Sequence, residues 1–175
     1  MSSLSVFHQS TPGIPNKVLT HLEDIVATLA EQGVHFERWS AQAPVQPGTG
    51  QEGVLAAYKG HIDRLLAERG YRQVDVVSIS DDQAAELLEE HTYDEDLVRF
   101  FAAGRGQISV RAGEYVYAVY CEKGDLIVVP AGVRVWMDGG ETPHFVVVRV
   151  FNAPEGLVAR FTGDKRAQRF ARLDD

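Results

Sequence analysis

The stretch HTYDEDLVRFF (residues 91–101) gathers the side chains best suited to chemistry. Successive side chains of a strand point to opposite faces. Given a turn-like interruption near 94–96, His91, Tyr93, Leu97, Arg99 and Phe101 then share the interior of a barrel. Imidazole titrates near neutral pH without help, so His91 is a candidate general acid or base. Tyr93 can donate a hydrogen bond to a developing enolate oxygen. The Arg99 guanidinium can hold an anionic or carbonyl oxygen through paired donors. Each also has a plainer reading. His91 can simply be bonded to a neighbour, and Tyr93 can simply fill volume. An inward Arg99 needs a partner, because an unpaired buried cation is costly. A substrate anion would serve, and so would Asp94, Glu95 or Asp96, although a run of acids is usually a solvated face.

The elements that must position this stretch follow from periodicity and turn residues. Residues 16–32 place Val18, Leu22, Ile25, Val26 and Leu29 on one helical face, with Gly33 as a stop. Residues 34–39 read as a strand, and a loop carrying Pro44, Pro47, Gly48 and Gly50 follows. A second helix over 51–69 carries Val54, Leu55, Tyr58, Ile62, Leu65 and Leu66, and Gly70 ends it. A strand over 74–80 and a short helix over 81–90 complete this part. From residue 91 short apolar strands alternate with turns at Gly104-Arg105-Gly106, Ala112-Gly113, Lys123-Gly124-Asp125, Pro130-Ala131-Gly132 and Asp138-Gly139-Gly140. That spacing predicts a β-sandwich or small barrel. The Gly104–Gly106 turn reads as a hairpin device, not a phosphate loop, since no helix follows it. TGDKRAQRF (162–170) reads as a closing turn and short helix. The expectation is one domain over residues 1–175, an α/β portion (1–90) on a mainly β barrel (91–175).

Composition excludes several classes. The chain has 175 residues, 45% hydrophobic and 24% charged, with a net charge of −8. Nucleic acid and anionic membranes require a basic face, so neither is expected as a partner. No apolar run reaches the ~20 residues needed to span a bilayer, and the N-terminus lacks the pattern of a secretory signal. A single cysteine, Cys121, cannot form an intrachain disulfide, and a cytoplasmic location is expected. Cys121, Trp39 and Trp136 read as packing residues.

EKGDLIVVPAG (122–132) resembles the second half-motif of the cupin superfamily. Together with FERW (36–39), VLAAYKGHIDRLLAERGY (54–71), VRFFAAGRGQ (98–107), PHF (143–145) and PEGLVARFTGD (154–164), the chain resembles the bacterial acireductone dioxygenase family over about residues 20–170. The resemblance implies a cupin-type (double-stranded β-helix) barrel, a monomer, and Fe²⁺ or Ni²⁺ held by three histidines and one glutamate. In that family the metal binds the acireductone enediolate and O₂ cleaves it. Matched phrase to phrase, the ligand positions fall on His91, Tyr93, Leu97 and Val135, so only His91 keeps a ligand type. Pocket positions often aromatic in the family fall on Leu87, Met137 and Leu157. Arg99 matches an arginine that faces the family's substrate.

Leucine and valine offer no donor atom to such a metal. The sequence reading is therefore a divergent member without a cofactor. It acts on a small oxygen-rich molecule by isomerisation, cyclisation or dehydration, plausibly in specialised metabolism. His91, Tyr93 and Arg99 would be catalytic, with Leu87, Leu97, Phe101, Val135, Met137 and Leu157 lining the substrate. A metal-dependent dioxygenase with a rebuilt Fe²⁺ or Ni²⁺ site, and a non-catalytic binding protein, are the alternatives.

Overall fold

Alternating apolar residues build two antiparallel sheets, seen in a computed structural model that describes residues 2–41 and 50–174. One sheet contains β1 (Ser3–His8), β2 (Lys17–Leu19), β5 (His91–Thr92), β7 (Arg105–Ala112), β8 (Tyr115–Glu122), β10 (Arg134–Asp138) and β12 (Arg160–Phe161). Its spatial order is β12-β5-β10-β7-β8-β1-β2. The other contains β3 (His35–Arg38), β4 (Gln73–Ile79), β6 (Leu97–Ala103), β9 (Asp125–Val129) and β11 (Phe145–Phe151), in the order β3-β9-β6-β11-β4. The helices are α1 (Leu22–Ala30), α2 (Gln51–Ala57), α3 (Lys59–Arg69) and α4 (Asp81–Leu87). This is the mainly β, cupin-type barrel with helices on its N-terminal side that the sequence predicts. Strands from the first ninety residues are built into both sheets.

Strand β6 shows how the pattern becomes a core. Leu97 and Phe101 face the cluster between the sheets, with Ile108, Val110, Ile127, Val135 and Phe145. Val98, Phe100 and Ala102 face the opposite way, onto Val54, Tyr58, Ile62 and Leu65 of the α2–α3 layer. The period of two thus serves two cores from one strand. Phe100 is fully buried, stacked on Trp39 with ring centres 4.6 Å apart and edge-on to Tyr58 at 4.5 Å.

Several expectations need correction. The helix expected over 16–32 begins only at Leu22, because residues 17–19 pair with β1, an N-terminal strand that periodicity did not reveal. Val18 is consequently exposed on an edge strand, not on a helix's buried face. The second helix is interrupted at Tyr58, whose ψ of 17° breaks the helical run. The Gly104 turn is not a hairpin, since β6 and β7 lie in different sheets. Gly104 (φ 76°) carries the chain around that corner, and a Cβ there would strike the His144 carbonyl. Pro44, Pro47 and Gly48 of the expected loop lie outside the described residues.

Candidate active site

The acidic run 94–96 is only in part a solvated face: Asp94 is exposed, while Glu95 and Asp96 are half-buried. It is the set of clamps that holds the site's walls. Asp94 pairs with Arg160 of β12 at 2.7 Å. The Glu95 carboxylate accepts from the backbone N–H groups of Asn152 and Ala153 at 2.6 and 2.8 Å. Asp96 accepts from the Tyr71 hydroxyl at 2.8 Å and from the Ala131 N–H at 3.0 Å. The bend at these residues lets the chain leave β5 in one sheet and enter β6 in the other. The Glu95 clamp fixes the 3₁₀ turn Pro154–Leu157, and Leu157 at its end and Ala159 just beyond it line a cavity. A Cβ on Gly156 would fall on the Glu95 carboxylate. Gly156→Ala should therefore cost roughly 1–3 kcal/mol, as overpacking does. An unchanged denaturant midpoint would show that the clamp yields freely.

The cavity, of about 430 Å³, is of a size that suits a small molecule. Tyr93, Arg99, Leu87, Met137 and Leu157 line it, as do Val147 and Phe145 of β11. Leu97, Phe101 and Val135 do not reach its wall. They lie behind it, in the apolar cluster that also takes in Tyr93 and Met137. His91 also stands back, between β10 and β12, with Val135 and Phe161 as its cross-strand neighbours.

Arg99 is the cavity's distinctive charge. It is only 6% exposed, and its Nη1 donates to the Val98 carbonyl at 2.9 Å. The guanidinium carbon sits 5.7 Å from the centre of the Tyr93 ring, a cation–π contact. Because Asp94, Glu95 and Asp96 are engaged elsewhere, none supplies the structural salt bridge considered from the sequence. Among the described residues no carboxylate lies within ion-pair distance of Arg99. Burial pulls its pKa down to about 10, with Tyr93 opposing the shift and neighbouring Arg149 adding to it. It remains a cation at neutral pH. A buried cation of this kind is costly unless something anionic meets it.

His91 is 1% exposed. Its Nδ1 lies 2.7 Å from the Glu89 carbonyl, which can only accept, so Nδ1 carries the proton of the neutral ring. The ring stands edge-on to Tyr93 at 5.2 Å. Burial lowers its pKa, partly offset by the Glu89 carbonyl, and Arg99 lowers it further. Below about pH 6.5, the ordinary imidazole value, the unfolded chain takes up a proton that folded His91 resists. The stability due to neutral burial is thus complete above that pH and is lost as the pH falls toward the lowered folded value. Between about pH 7 and about pH 5 the melting temperature of the native protein should fall more steeply than that of His91→Gln. Parallel slopes would contradict the assignment.

Sequence reasoning missed three polar residues of the cavity wall, Arg149, Gln83 and Glu86. Arg149 and Asp75 face each other across β11 and β4 and form a two-pronged ion pair at 2.6 and 2.9 Å. Their pairing depends on which distant strands become neighbours. Gln83 and Glu86 reach the cavity from α4. The Gln83 side chain also accepts from the Ser80 N–H at 3.2 Å, one half of a capping box that the Ser-x-x-Gln spacing could have signalled. Buried Cys121, its thiol pushed up by desolvation, plays no part.

Comparison with known proteins decides the family. Residues 5–159 match the ARD/ARD' family. A relative in Pseudomonas fluorescens (strain Pf0-1), acireductone dioxygenase, is 61% identical over the full length of both chains. This chain belongs to the ARD/ARD' family. The acireductone dioxygenase of Pseudomonas syringae pv. syringae (strain B728a) is 60% identical, again over both full lengths. A solved structure, acireductone dioxygenase from Bacillus anthracis with cadmium ion in its active center, superposes with a TM-score of 0.80 at 26% identity. That match covers 92% of this chain and 98% of the other.

These findings correct the expectation of a cofactor-free isomerase, cyclase or dehydratase. Whole-length relatives are enzymes named as dioxygenases, and the solved one carries a metal ion in its active center. They favour the alternative drawn from the sequence, a metal-dependent dioxygenase, and make a metal the expected cofactor where none was expected. The residues at hand are a poor fit to the ligand set that the resemblance implies. Of the four positions, His91 offers an imidazole, Tyr93 a phenol, and Leu97 and Val135 nothing. Among the described residues, no three His, Cys, Asp or Glu side chains are grouped so as to hold a metal ion.

Proposed function

We propose that this chain is a dioxygenase of the acireductone class, acting on an enediolate bound in the cavity over Arg99. The observation that carries this reading is the 61% identity, end to end, with a relative of that name. The cavity and the buried Arg99 cation on its wall support it. Arg99 neutralises and orients the enediolate oxygen through paired donors. The Tyr93 hydroxyl donates to a substrate oxygen. His91 has its edge contact to Tyr93 and stands behind the wall, so it acts through that ring as a positioning residue. Leu87, Met137 and Leu157 exclude water and set the shape around the side chain of the substrate. Dioxygen enters as the second substrate.

The reading is tested by oxygen uptake on an acireductone, with Fe²⁺ or Ni²⁺ added and then chelated. Consumption that needs the added ion is expected. No consumption with either ion would overturn the proposal. An acireductone that binds and dissociates unchanged would replace it with a binding role.

A further inference from the structure

Part of the cavity wall is held from outside the cavity. Met137, one residue before the end of β10, and Phe145, the first residue of β11, both line it. The connection between them starts at Asp138, whose side chain is buried. Neighbouring strand residues point to opposite faces, so an inward Met137 puts Asp138 on the outer side. Asp138 lines the neighbouring clefts beside Leu88 and not the cavity itself. One of its oxygens accepts the Gly140 N–H at 2.8 Å and closes the turn. The other accepts the Leu173 N–H at 2.9 Å and ties the turn to the C-terminal segment. Asp174 adds a second tie. It accepts the Glu141 N–H at 2.7 Å and pairs with Arg105 of β7 at 2.8 Å. The segment is seated by Phe170, whose ring centre lies 6.0 Å from that of Phe7 and 5.6 Å from that of Trp136. The turn has little slack. A Cβ on Gly139 would come 2.8 Å from the Pro143 side chain and 3.1 Å from the Phe145 ring, and one on Gly140 (φ 89°) 2.7 Å from the Asp174 carboxylate.

We infer that Asp138 is a positioning residue for the substrate pocket: by joining the β10–β11 turn to Leu173 it fixes where Met137 and Phe145 stand, and so how firmly the pocket holds an aliphatic side chain. An acceptor that reached the Gly140 N–H alone would close the turn but leave it free of the C-terminal segment. Two carboxylate oxygens serve both at once. The inference rests on the dioxygenase reading for its choice of ligand, an acireductone. It adds a residue that shapes side-chain preference without touching the substrate.

The test compares two acireductones, one with a methyl and one with an n-butyl side chain. Their dissociation constants are measured by calorimetry under argon, so that no turnover is needed. The native protein should bind the butyl compound more tightly. Asp138→Ala should shrink that preference about fourfold, the worth of burying one methylene group. The affinity for the methyl compound should stay as in the native protein, because Arg99 is untouched. Asp138→Asn keeps one acceptor oxygen and should recover part of the preference. Asp174→Ala changes an exposed residue and should shift the preference in the same direction to a smaller degree, so the test does not depend on Asp138→Ala folding. A preference unchanged in every folded variant, or an equal loss for both compounds, would overturn the assignment. So would equal affinities in the native protein. Oxygen uptake by the native protein with the methyl compound is read separately, so the dioxygenase reading can fail while the preference stands, and the converse. Failure of the native protein to bind either compound would overturn both.

Discussion

Replacing Arg99 with methionine should weaken binding of an acireductone by at least ~30-fold. That corresponds to roughly 2 kcal/mol, the scale of a charge-assisted hydrogen bond lost from a buried site. The same change should leave the free energy of unfolding unchanged or raise it by about 1 kcal/mol. Arg99 is 6% exposed, its Nη1 donates to its neighbour's carbonyl, and no carboxylate among the described residues lies within ion-pair distance of it, Asp75 acting on its charge only from farther off. An apolar residue of similar length spares the folded state that desolvation. Opposite signs for affinity and stability distinguish a ligand anchor from a structural ion pair, whose loss would weaken both. Arg99→Lys should recover part of the affinity, because it keeps the charge but not the paired planar donors. Binding is read by titration under argon and stability by denaturant midpoint. Unchanged affinity in Arg99→Met would remove the residue from the site.

The second large effect concerns the four positions to which the family resemblance assigns metal ligands. With His91 retained, the triple substitution Tyr93→His, Leu97→Glu and Val135→His restores three histidines and a glutamate. Competition against a chelator should show Ni²⁺ binding strengthened by more than ~100-fold. Even partners that only orient a ligand are commonly worth 10–100-fold. Without metal the variant should be less stable, because Leu97 and Val135 are buried in an apolar cluster and a carboxylate there is costly. Added metal should reverse that loss. Native and variant chains binding Ni²⁺ equally would mean that donors elsewhere already hold the ion.

The barrel was legible because strand alternation and glycine turns are local signals. The LVRFF pattern of β6 already told which residues face the inner core, and Leu97 and Phe101 are found there. The β1–β2 pair was not legible. The residues of β2 continue the helical apolar spacing of α1, whereas β1 is made a strand by β8, more than a hundred residues away, and β2 then adds to its free edge. The Gly104 corner was misread for a related reason. A Gly-x-Gly turn looks alike whether the chain returns to the same sheet or crosses to the other. At the site, Tyr93, Arg99, Leu87, Met137 and Leu157 do meet at one cavity, whereas His91, Leu97, Phe101 and Val135 lie behind its wall. Spacing along a strand tells which face a residue shares but not how deep it stands. The acids at 94–96 carry the same lesson. Composition made them solvent, and tertiary contacts made them clamps. The missing donors at 97 and 135 pointed away from metal chemistry, while identity along the whole chain points toward it. The oxyanion anchor is the element common to both.

The most direct measurement is a crystal structure of the protein grown with an acireductone under argon. An enediolate oxygen within hydrogen-bonding reach of the Arg99 guanidinium, inside the cavity walled by Tyr93, Met137 and Leu157, is the expected result. A ligand seated elsewhere, or one lying in that cavity with Arg99 turned from it, would contradict the account.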